Sequence, residues 1–422
     1  MIVKPMVRSN ICINAHPAGC AREVVNQIDY VKAKTAKRAA AGQSVGKSAK
    51  NAPKAVLVLG CSTGYGLASR ISAAFAYGAA TVGVSFEKEG TEGKSGTPGF
   101  YNNLAFDRAS AAAGIPCKTV NGDAFSDAIR AQVIDIAKAM KIKFDLVVYS
   151  IASPVRTDPD TGVLYKSALK PIGKPYTGAT VDPMTGKIGS MSAEPANDQE
   201  AADTVKVMGG EDWERWIAQL TAAGVLATGC ATVAYSYVGP THTHAIYRDG
   251  TIGGAKKHLE KTARAMSERM KATIGGDAFV SVNKGLVTRS SAVIPVIPMY
   301  LSLLFRVMKD KGTHEGCIEQ MERLFAERLY AGSAVPVDGP PDPNRRLGDG
   351  SLRAGRGKQA HGAARRRGRS GKARGIARRA RRPRRIPPRL PRRERIRRRG
   401  HRLRRGRPAH ERDLKTTIGD LR

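Results

Sequence analysis

The residues of this chain best suited to chemistry are a glycine-rich turn and a tyrosine followed nine positions later by a lysine. Gly60-Cys61-Ser62-Thr63-Gly64-Tyr65-Gly66 follows the apolar run Ala55–Leu59 and precedes a helical pattern. Glycines permit a tight turn and a close approach of backbone to a pyrophosphate, and a helix N-terminus offers unpaired N–H groups with partial positive charge. A strand before and a helix after are the context that nucleotide binding demands of such a turn. A second strand ends at Phe86-Glu87. An acid there accepts hydrogen bonds from both ribose hydroxyls and repels a 2′-phosphate, which favours NAD(H) over NADP(H). Lys88 beside it weakens that preference, and a solvated loop acid is the alternative. Asp123-Ala124 follows a third strand where an adenine edge would lie. Ser150-Ile151-Ala152-Ser153 ends a fourth strand with residues small enough to let a ribose pass over the sheet edge.

Tyr247 and Lys256 bracket the second constellation, Tyr247-Arg-Asp-Gly-Thr-Ile-Gly-Gly-Ala-Lys256. Reduction of a carbonyl or conjugated carbonyl needs a hydroxyl donor near the developing oxyanion and a cation near the nicotinamide ribose. Positions nine apart on one helix face opposite ways, so the pair converges only if Tyr247 lies before the helix. Gly250 as a breaker and Thr251 as an N-cap would allow this. Spacing alone leaves open a half-buried tyrosine and a solvated lysine. His242 and His244 alternate nearby without a carboxylate or cysteine at ligand spacing, and are read as loop histidines rather than a metal site. Trp213 and Trp216, three apart on a helical pattern, are read as packing residues.

The elements that must position these groups alternate. Ala55–Leu59 is a short, continuously apolar run, the signature of a strand covered on both faces, and further runs follow at Thr81–Phe86, around Lys118–Val120 and at Leu146–Tyr149. Helical patterns separate them at about Leu67–Tyr77 and Asp127–Met140, and Thr251–Ile274 followed by Ala278–Val282 extends the series. This predicts an α/β fold with right-handed crossovers and a doubly wound parallel sheet, entered through a short-chain reductase-like glycine turn. Thr35–Asn51 reads as a flexible insertion. Residues 155–210, rich in Pro, Gly, Asp and Thr, read as long substrate-side loops.

Charge is distributed unevenly. The chain has 422 residues and a formal net charge of +35, of which residues 341–422 carry +25, with 28 arginines and no aromatic residue. That segment cannot bury enough apolar surface to offset chain entropy. The basicity of one end therefore does not make the whole chain a nucleic-acid binder. Six scattered cysteines form no metal or disulfide pattern and are read as free thiols of a reducing compartment. The N-terminus lacks the apolar core of a signal peptide, and the apolar run Ala292–Phe305 is broken by Pro295 and Pro298 and is too short to span a bilayer. A cytoplasmic protein without a metal or membrane partner is expected.

Taken together, the blocks NICINAHPAGC, LGCSTGYGLASRI, SFEKEGTEGKSGTPGFYNN, GDAFSD, LKPIGKPYTG, GGEDWERWI, ATVAYSYVGPTHTHAIYRDGTIGGAKKHLEKTA and VNKGLVTRSSAVIPVIPMYLSLLF resemble the trans-2-enoyl-CoA / enoyl-acyl-carrier-protein reductases of the FabV type. The likeness runs from the N-terminal MIVKP to about Val337. It implies an extended Rossmann (short-chain reductase-like) doubly wound parallel sheet with extra substrate-covering loops and helices, in a monomeric NADH-dependent enzyme of fatty acid biosynthesis acting on enoyl-CoA or on an enoyl group held by acyl carrier protein. It further implies that Tyr247 is the catalytic tyrosine, Lys256 its lysine partner and cofactor contact, and Tyr237 a substrate contact. In the mechanism this suggests, the positive field of Lys256 is expected to favour ionisation of Tyr247 against its ordinary pKa of about 10. The implied cofactor segments are Gly60, Cys61, Ser62, Thr63, Gly64 and Tyr65; Phe86 and Glu87; Asp123 and Ala124; Ile151 and Ala152; and Leu286, Val287 and Thr288. Cys61, Ile151 and the length of residues 35–51 depart from the family pattern without touching the chemistry. A short-chain reductase acting on a carbonyl is the nearest rival, but its Tyr-x-x-x-Lys spacing is absent around Tyr247. The likeness stops near Gly339, which divides the chain into a reductase body, 1–338, and an Arg-rich tail, 339–422. The sudden change to an Arg/Gly/Pro/Ala mixture is read as the product of a shifted reading frame rather than an acquired nucleic-acid-binding arm.

Overall fold

The computed structural model describes residues 3–8, 11–182, 185–239, 241–288, 291, 297–332, 335–336 and 346–348. The chain divides after Ala354, and all described residues lie before that point. Strands β1 (Val7–Arg8) and β2 (Ile11–Cys12) form a small antiparallel pair before helix α1 (Pro17–Ala40). Then β3 (Ala55–Leu59), α2 (Gly64–Tyr77), β4 (Ala80–Ser85), α3 (Pro98–Ala112), β5 (Cys117–Asn121), α4 (Asp127–Ala139) and β6 (Phe144–Tyr149) alternate as the hydrophobic runs predict.

Residues 155–210, expected as loops, fold into two antiparallel hairpins and a helix. The hairpins are β7 (Val155–Thr157) with β8 (Leu164–Lys166), and β9 (Tyr176–Val181) with β10 (Ile188–Ala193). Helix α5 (Asp198–Met208) starts on a capping box in which the Asn197 side chain accepts from the Glu200 N–H and Glu200 reaches back to the Asn197 N–H. Helix α6 (Glu211–Ala222), strand β11 (Leu226–Ser236), the short helix α7 (His244–Tyr247), α8 (Thr251–Ile274), β12 (Asp277–Val282), α9 (Ile297–Asp310) and α10 (Cys317–Leu324) follow. Thr35–Asn51 is also more ordered than its composition suggests. Ala, Lys and Arg are strong helix formers and carry α1 through Ala40, while Val45 and Ala49 are buried.

Six strands stand parallel in the order β5-β4-β3-β6-β11-β12. The chain's direction of winding reverses between β3 and β6, and ligands of open α/β sheets bind beyond the carboxyl ends of strands at such a switch point. Alternate residues feed two buried layers. Leu57, Leu59, Val82, Val84, Val147 and Tyr149 face α4, α6 and α8, burying Trp213, Trp216, Leu259 and Met266. Val56, Val58, Leu146 and Val148 face α1, α2, α3 and α10, burying Val24, Ile71, Phe106 and Met321.

Beyond residue 338, the described segment is β13 (Arg346–Gly348), which runs parallel along the outer edge of β12. The rest of the Arg-rich tail lies outside the described residues, as do residues 292–296 of the apolar run that leads into α9. Among the described residues no helix is long and apolar enough to cross a membrane. All six cysteines are free.

Candidate active site

The glycine turn sits at the switch point because strand register puts it there. Leu59 pairs with Tyr149 and with Val84, so Gly60 and Ser150 leave adjacent strands side by side. A Cβ on Gly60, whose φ is 84°, would stand 2.2 Å from the Ser150 carbonyl oxygen, and one on Gly66 would stand 1.9 Å from that of Gly60. Only glycine fits at either position. On the open side the space next to Gly64 is bounded by the Thr288 methyl, 3.8 Å from where a Cβ would lie. Helix α2 begins at Gly64, so its first N–H groups point into this crevice. The Cys61 side chain lies elsewhere. It is buried, its Sγ is 3.6 Å from Asn103 Oδ1, and burial holds the thiol above its ordinary pKa.

Glu87 follows β4 beside the turn. Its Oε1 accepts from the Ser62 hydroxyl at 2.6 Å and its Oε2 from Thr97. A carboxylate has about four lone-pair sites, so acceptor capacity remains after these two bonds. Asn121 at the end of β5 pins the Glu87 backbone twice, accepting from its N–H at 2.8 Å and donating to its carbonyl at 2.9 Å. Phe86 beside it is 79% exposed. Asp123 turns the chain by accepting from the Phe125 N–H, and the Ala124 carbonyl accepts from the Trp216 indole at 3.0 Å. Ile151 is half-buried against the core, Ala152 is exposed, and Leu286 is buried with Val287 exposed. Thr288 is held through Ser291, whose hydroxyl accepts from the Thr288 N–H and donates to the Leu286 carbonyl. These cofactor candidates therefore stand at the carboxyl edge of the sheet, after β3, β4, β5, β6 and β12. With the N-terminus of α2, an acceptor carboxylate and a close-approach turn, the crevice is chemically matched to a dinucleotide.

Tyr237 follows β11 at the same edge and meets Tyr247 edge to face, ring centroids 5.2 Å apart. Tyr247 is the last residue of α7, and it lies before the long helix as its spacing from Lys256 requires. The cap differs from expectation. Gly250 is the N-cap of α8, and Thr251 is its first residue, with its N–H and hydroxyl both directed at the Lys170 loop. Thr251 serves better as an anchor because Gly250 leaves no room for a side chain: a Cβ there would meet the Ile246 and Lys170 carbonyls at 2.4 and 2.6 Å. Gly253 is similarly crowded by the Arg248 and Tyr247 carbonyls. The pair of glycines thus lets Tyr247 turn tightly over the start of α8.

Tyr247, Ile246 and Leu301 are buried, surrounded by Leu169, Tyr176, Met191, Tyr237, Tyr300 and Phe305. Burial and then the Tyr237 phenol raise the Tyr247 pKa. This corrects the expectation that Lys256 would make Tyr247 more ionisable. The apolar surroundings keep it a neutral O–H donor. The Tyr237 hydroxyl is buried without a hydrogen-bond partner among the described residues. Lys256 reaches the Tyr235 carbonyl at 3.4 Å from α8, and burial lowers its pKa to about 8 against the opposing pull of Glu260 one turn on. Asn121, Thr97, Ser291 and the indole donor of Trp216 escaped the sequence reading. All four act by hydrogen bonds across sequence separations or loops that no periodicity signals. No cluster of metal-ligating side chains occurs among the described residues.

The NAD(P)H binding domain of trans-2-enoyl-CoA reductase matches residues 2–92, and the trans-2-enoyl-CoA reductase catalytic region matches residues 94–330. The chain belongs to the trans-2-enoyl-CoA reductase family. It is 64% identical over 339 residues to the trans-2-enoyl-CoA reductase [NADH] of Treponema denticola, covering 80% of this chain and 83% of that one. It is 53% identical over 338 residues to the enoyl-[acyl-carrier-protein] reductase [NADH] of Cytophaga hutchinsonii, covering 80% and 82%. Two solved structures of trans-2-enoyl-CoA reductases share this reductase's fold. The Treponema denticola enzyme in complex with NAD superposes with a TM-score of 0.77 at 63% identity, covering 82% of this chain and 84% of that one. The Clostridium acetobutulicum enzyme in complex with NADH gives 0.76 at 42% identity, covering 82% and 83%.

Proposed function

We propose that this reductase saturates the trans-2 double bond of enoyl thioesters, carried by CoA or by acyl carrier protein, using NADH, as part of fatty acid biosynthesis. NADH, when bound, supplies the hydride for the β-carbon. In this reading Gly60–Tyr65, Phe86-Glu87, Asp123-Ala124, Ile151-Ala152 and Leu286–Thr288 hold it. Tyr247 donates a hydrogen bond to the thioester oxygen as negative charge moves there, keeping its proton, and Tyr237 helps to orient the thioester. Lys256 contributes a cation next to the ribose. A proton taken up from solvent at the α-carbon neutralises the enolate and completes the saturated product. The observation that carries the reading is the Tyr237–Tyr247 pair, set in an apolar cluster at the same sheet edge as the glycine turn. A buried phenol kept neutral is suited to stabilising an enolate that forms without water. The reductase body, 1–338, would act as a monomer in the cytoplasm.

The test is loss of NADH absorbance with crotonyl-CoA, followed by mass analysis of the product. Butyryl-CoA formed in step with NADH consumption supports the assignment. NADH loss no faster than in the enzyme-free control overturns it.

A further inference from the structure

We infer that Gln320 of α10 is a positioning residue that sets the width of the cofactor crevice between the start of α2 and the Leu286–Thr288 wall. The inference rests on the reading that these two segments hold the dinucleotide. Gln320 is 3% exposed, and its Oε1 accepts from the Lys284 N–H at 2.9 Å. The same oxygen lies 3.2 Å from the Tyr65 hydroxyl, which donates to the Lys284 carbonyl at 2.6 Å. Both polar groups of the Lys284 backbone are thus tied to this cluster, two residues before Leu286. The Lys284 ammonium is buried as well, paired with Glu315 at 2.6 Å, and Glu315 takes two bonds of 2.8 Å from Arg323 on α10. The clamp therefore holds Tyr65 in the first turn of α2 and Lys284 beyond β12 against one helix.

The strands that lead to these two segments are not neighbours, since β6 and β11 stand between β3 and β12. No sheet hydrogen bond sets their separation directly, and Tyr65, Lys284 and Gln320 supply the missing link. The distance they control is short, with Gly64 facing the Thr288 methyl across the crevice. Among the described residues the Gln320 Nε2 is buried without a partner. An unpaired amide donor is costly to bury, so what Gln320 contributes to this cluster is its acceptor oxygen, the atom that makes the link.

The experiment compares full-length wild type with Gln320→Leu and Tyr65→Phe, measuring NADH Kd by fluorescence, KM for both substrates, kcat and Tm. Gln320→Leu is expected to weaken NADH binding roughly three- to tenfold, the range of one or two lost hydrogen bonds. Its KM for crotonyl-CoA and its kcat at saturating NADH should stay within about twofold of wild type, a split that mere loss of stability does not produce. Tyr65→Phe deletes a single hydroxyl and should shift NADH Kd in the same direction, and it decides the matter if Gln320→Leu does not fold. A lower Tm with unchanged NADH Kd, or equal losses for both substrates, overturns the inference. Wild type that fails to bind NADH would instead remove the cofactor assignment on which it rests.

Discussion

Tyr237 and Tyr247 cross at 87°, ring edge against ring face, although one ends the strand side of the site and the other begins the helix side. Aromatic rings prefer this geometry because the positive edge of one meets the negative face of the other. Here it fixes the direction in which the Tyr247 phenol enters the apolar cluster. It also supplies the second cause of the raised Tyr247 pKa, since two phenolates this close would repel.

Tyr247→Phe keeps the ring contact and removes only the donor. Loss of one oxyanion donor lowers kcat roughly a hundred- to thousandfold. NADH affinity should change little, because the phenol acts on the thioester oxygen. Steady-state kinetics with crotonyl-CoA check both quantities, and near-normal turnover would remove Tyr247 from the reaction.

Lys256 ties activity and stability to pH in opposite senses. Its folded pKa is lowered to about 8 from 10.5, so the cation is present below about pH 8 and disappears as pH rises through it. The rate constant kcat/KM for NADH should fall over that rise, and Glu260→Gln should move the fall to lower pH. For stability, the unfolded chain binds more protons than the fold between about 8 and 10.5, so burial of the ammonium is a penalty below 8 that fades across this window. Lys256→Met removes that penalty of about 3 kcal/mol. The variant is expected to be more stable at pH 7 by up to that amount, and far less active, with a flattened pH profile. Thermal melts and pH–rate curves of the two proteins provide the check.

The sheet was legible because the fully buried run of β3 and the largely apolar β4 and β6 alternate with glycine turns and helical patterns, while the mostly polar β5 is marked mainly by its place in that alternation. Ala55–Leu59 needs no tertiary context to be read so. Strand β11 was harder: Gly229 and Cys230 interrupt it, and its pairing with β6 shifts register between Leu226 and Ala231, so no clean run marks it. The hairpins of residues 155–210 are short and largely exposed, which leaves little hydrophobic alternation to detect. At the site, residue types and spacing pointed to Tyr247, Lys256 and the turn. The groups that orient them, Asn121 on Glu87 and Gln320 on Lys284, become visible only when distant segments meet. The polarity of Tyr247 was misjudged for a related reason, since burial by Leu301, Tyr300 and Phe305 is a tertiary property.

Glu87 should govern the choice between the two nicotinamide cofactors. Its carboxylate is fixed by Ser62 and Thr97 and its backbone by Asn121, so it cannot easily swing aside from an incoming 2′-phosphate. Like-charge juxtaposition costs several kcal/mol. Glu87→Ala is expected to reduce the ratio of kcat/KM for NADH over NADPH by roughly tenfold or more, with the NADPH value rising in absolute terms. Parallel assays with the two cofactors measure the ratio. A ratio that stays at the wild-type value would assign discrimination to some other group.

Arg130 and Asp212 form an ion pair buried in the core. Both side chains are essentially inaccessible, and they pair directly between α4 and α6. Asp212 also accepts from the Tyr149 hydroxyl at 3.0 Å, while Arg130 donates to the Phe125 carbonyl and lies over the Trp216 ring. Removing one partner strands the other charge in a low-dielectric interior, which typically costs about 3–5 kcal/mol. Asp212→Ala should therefore lose stability on that order in urea unfolding, with the slope unchanged if only the native state is affected. Replacing both partners by apolar residues of similar volume, Arg130→Met with Asp212→Leu, leaves no uncompensated charge and should recover most of the loss. Recovery will be incomplete, because Arg130 also bonds Asp127 and the Phe125 carbonyl. Those bonds fix the segment that includes Ala124, so the double variant should retain stability while binding NADH more weakly. A double variant no more stable than Asp212→Ala would show that the site depends on the hydrogen-bond geometry around Arg130 and not on pairing of the two charges.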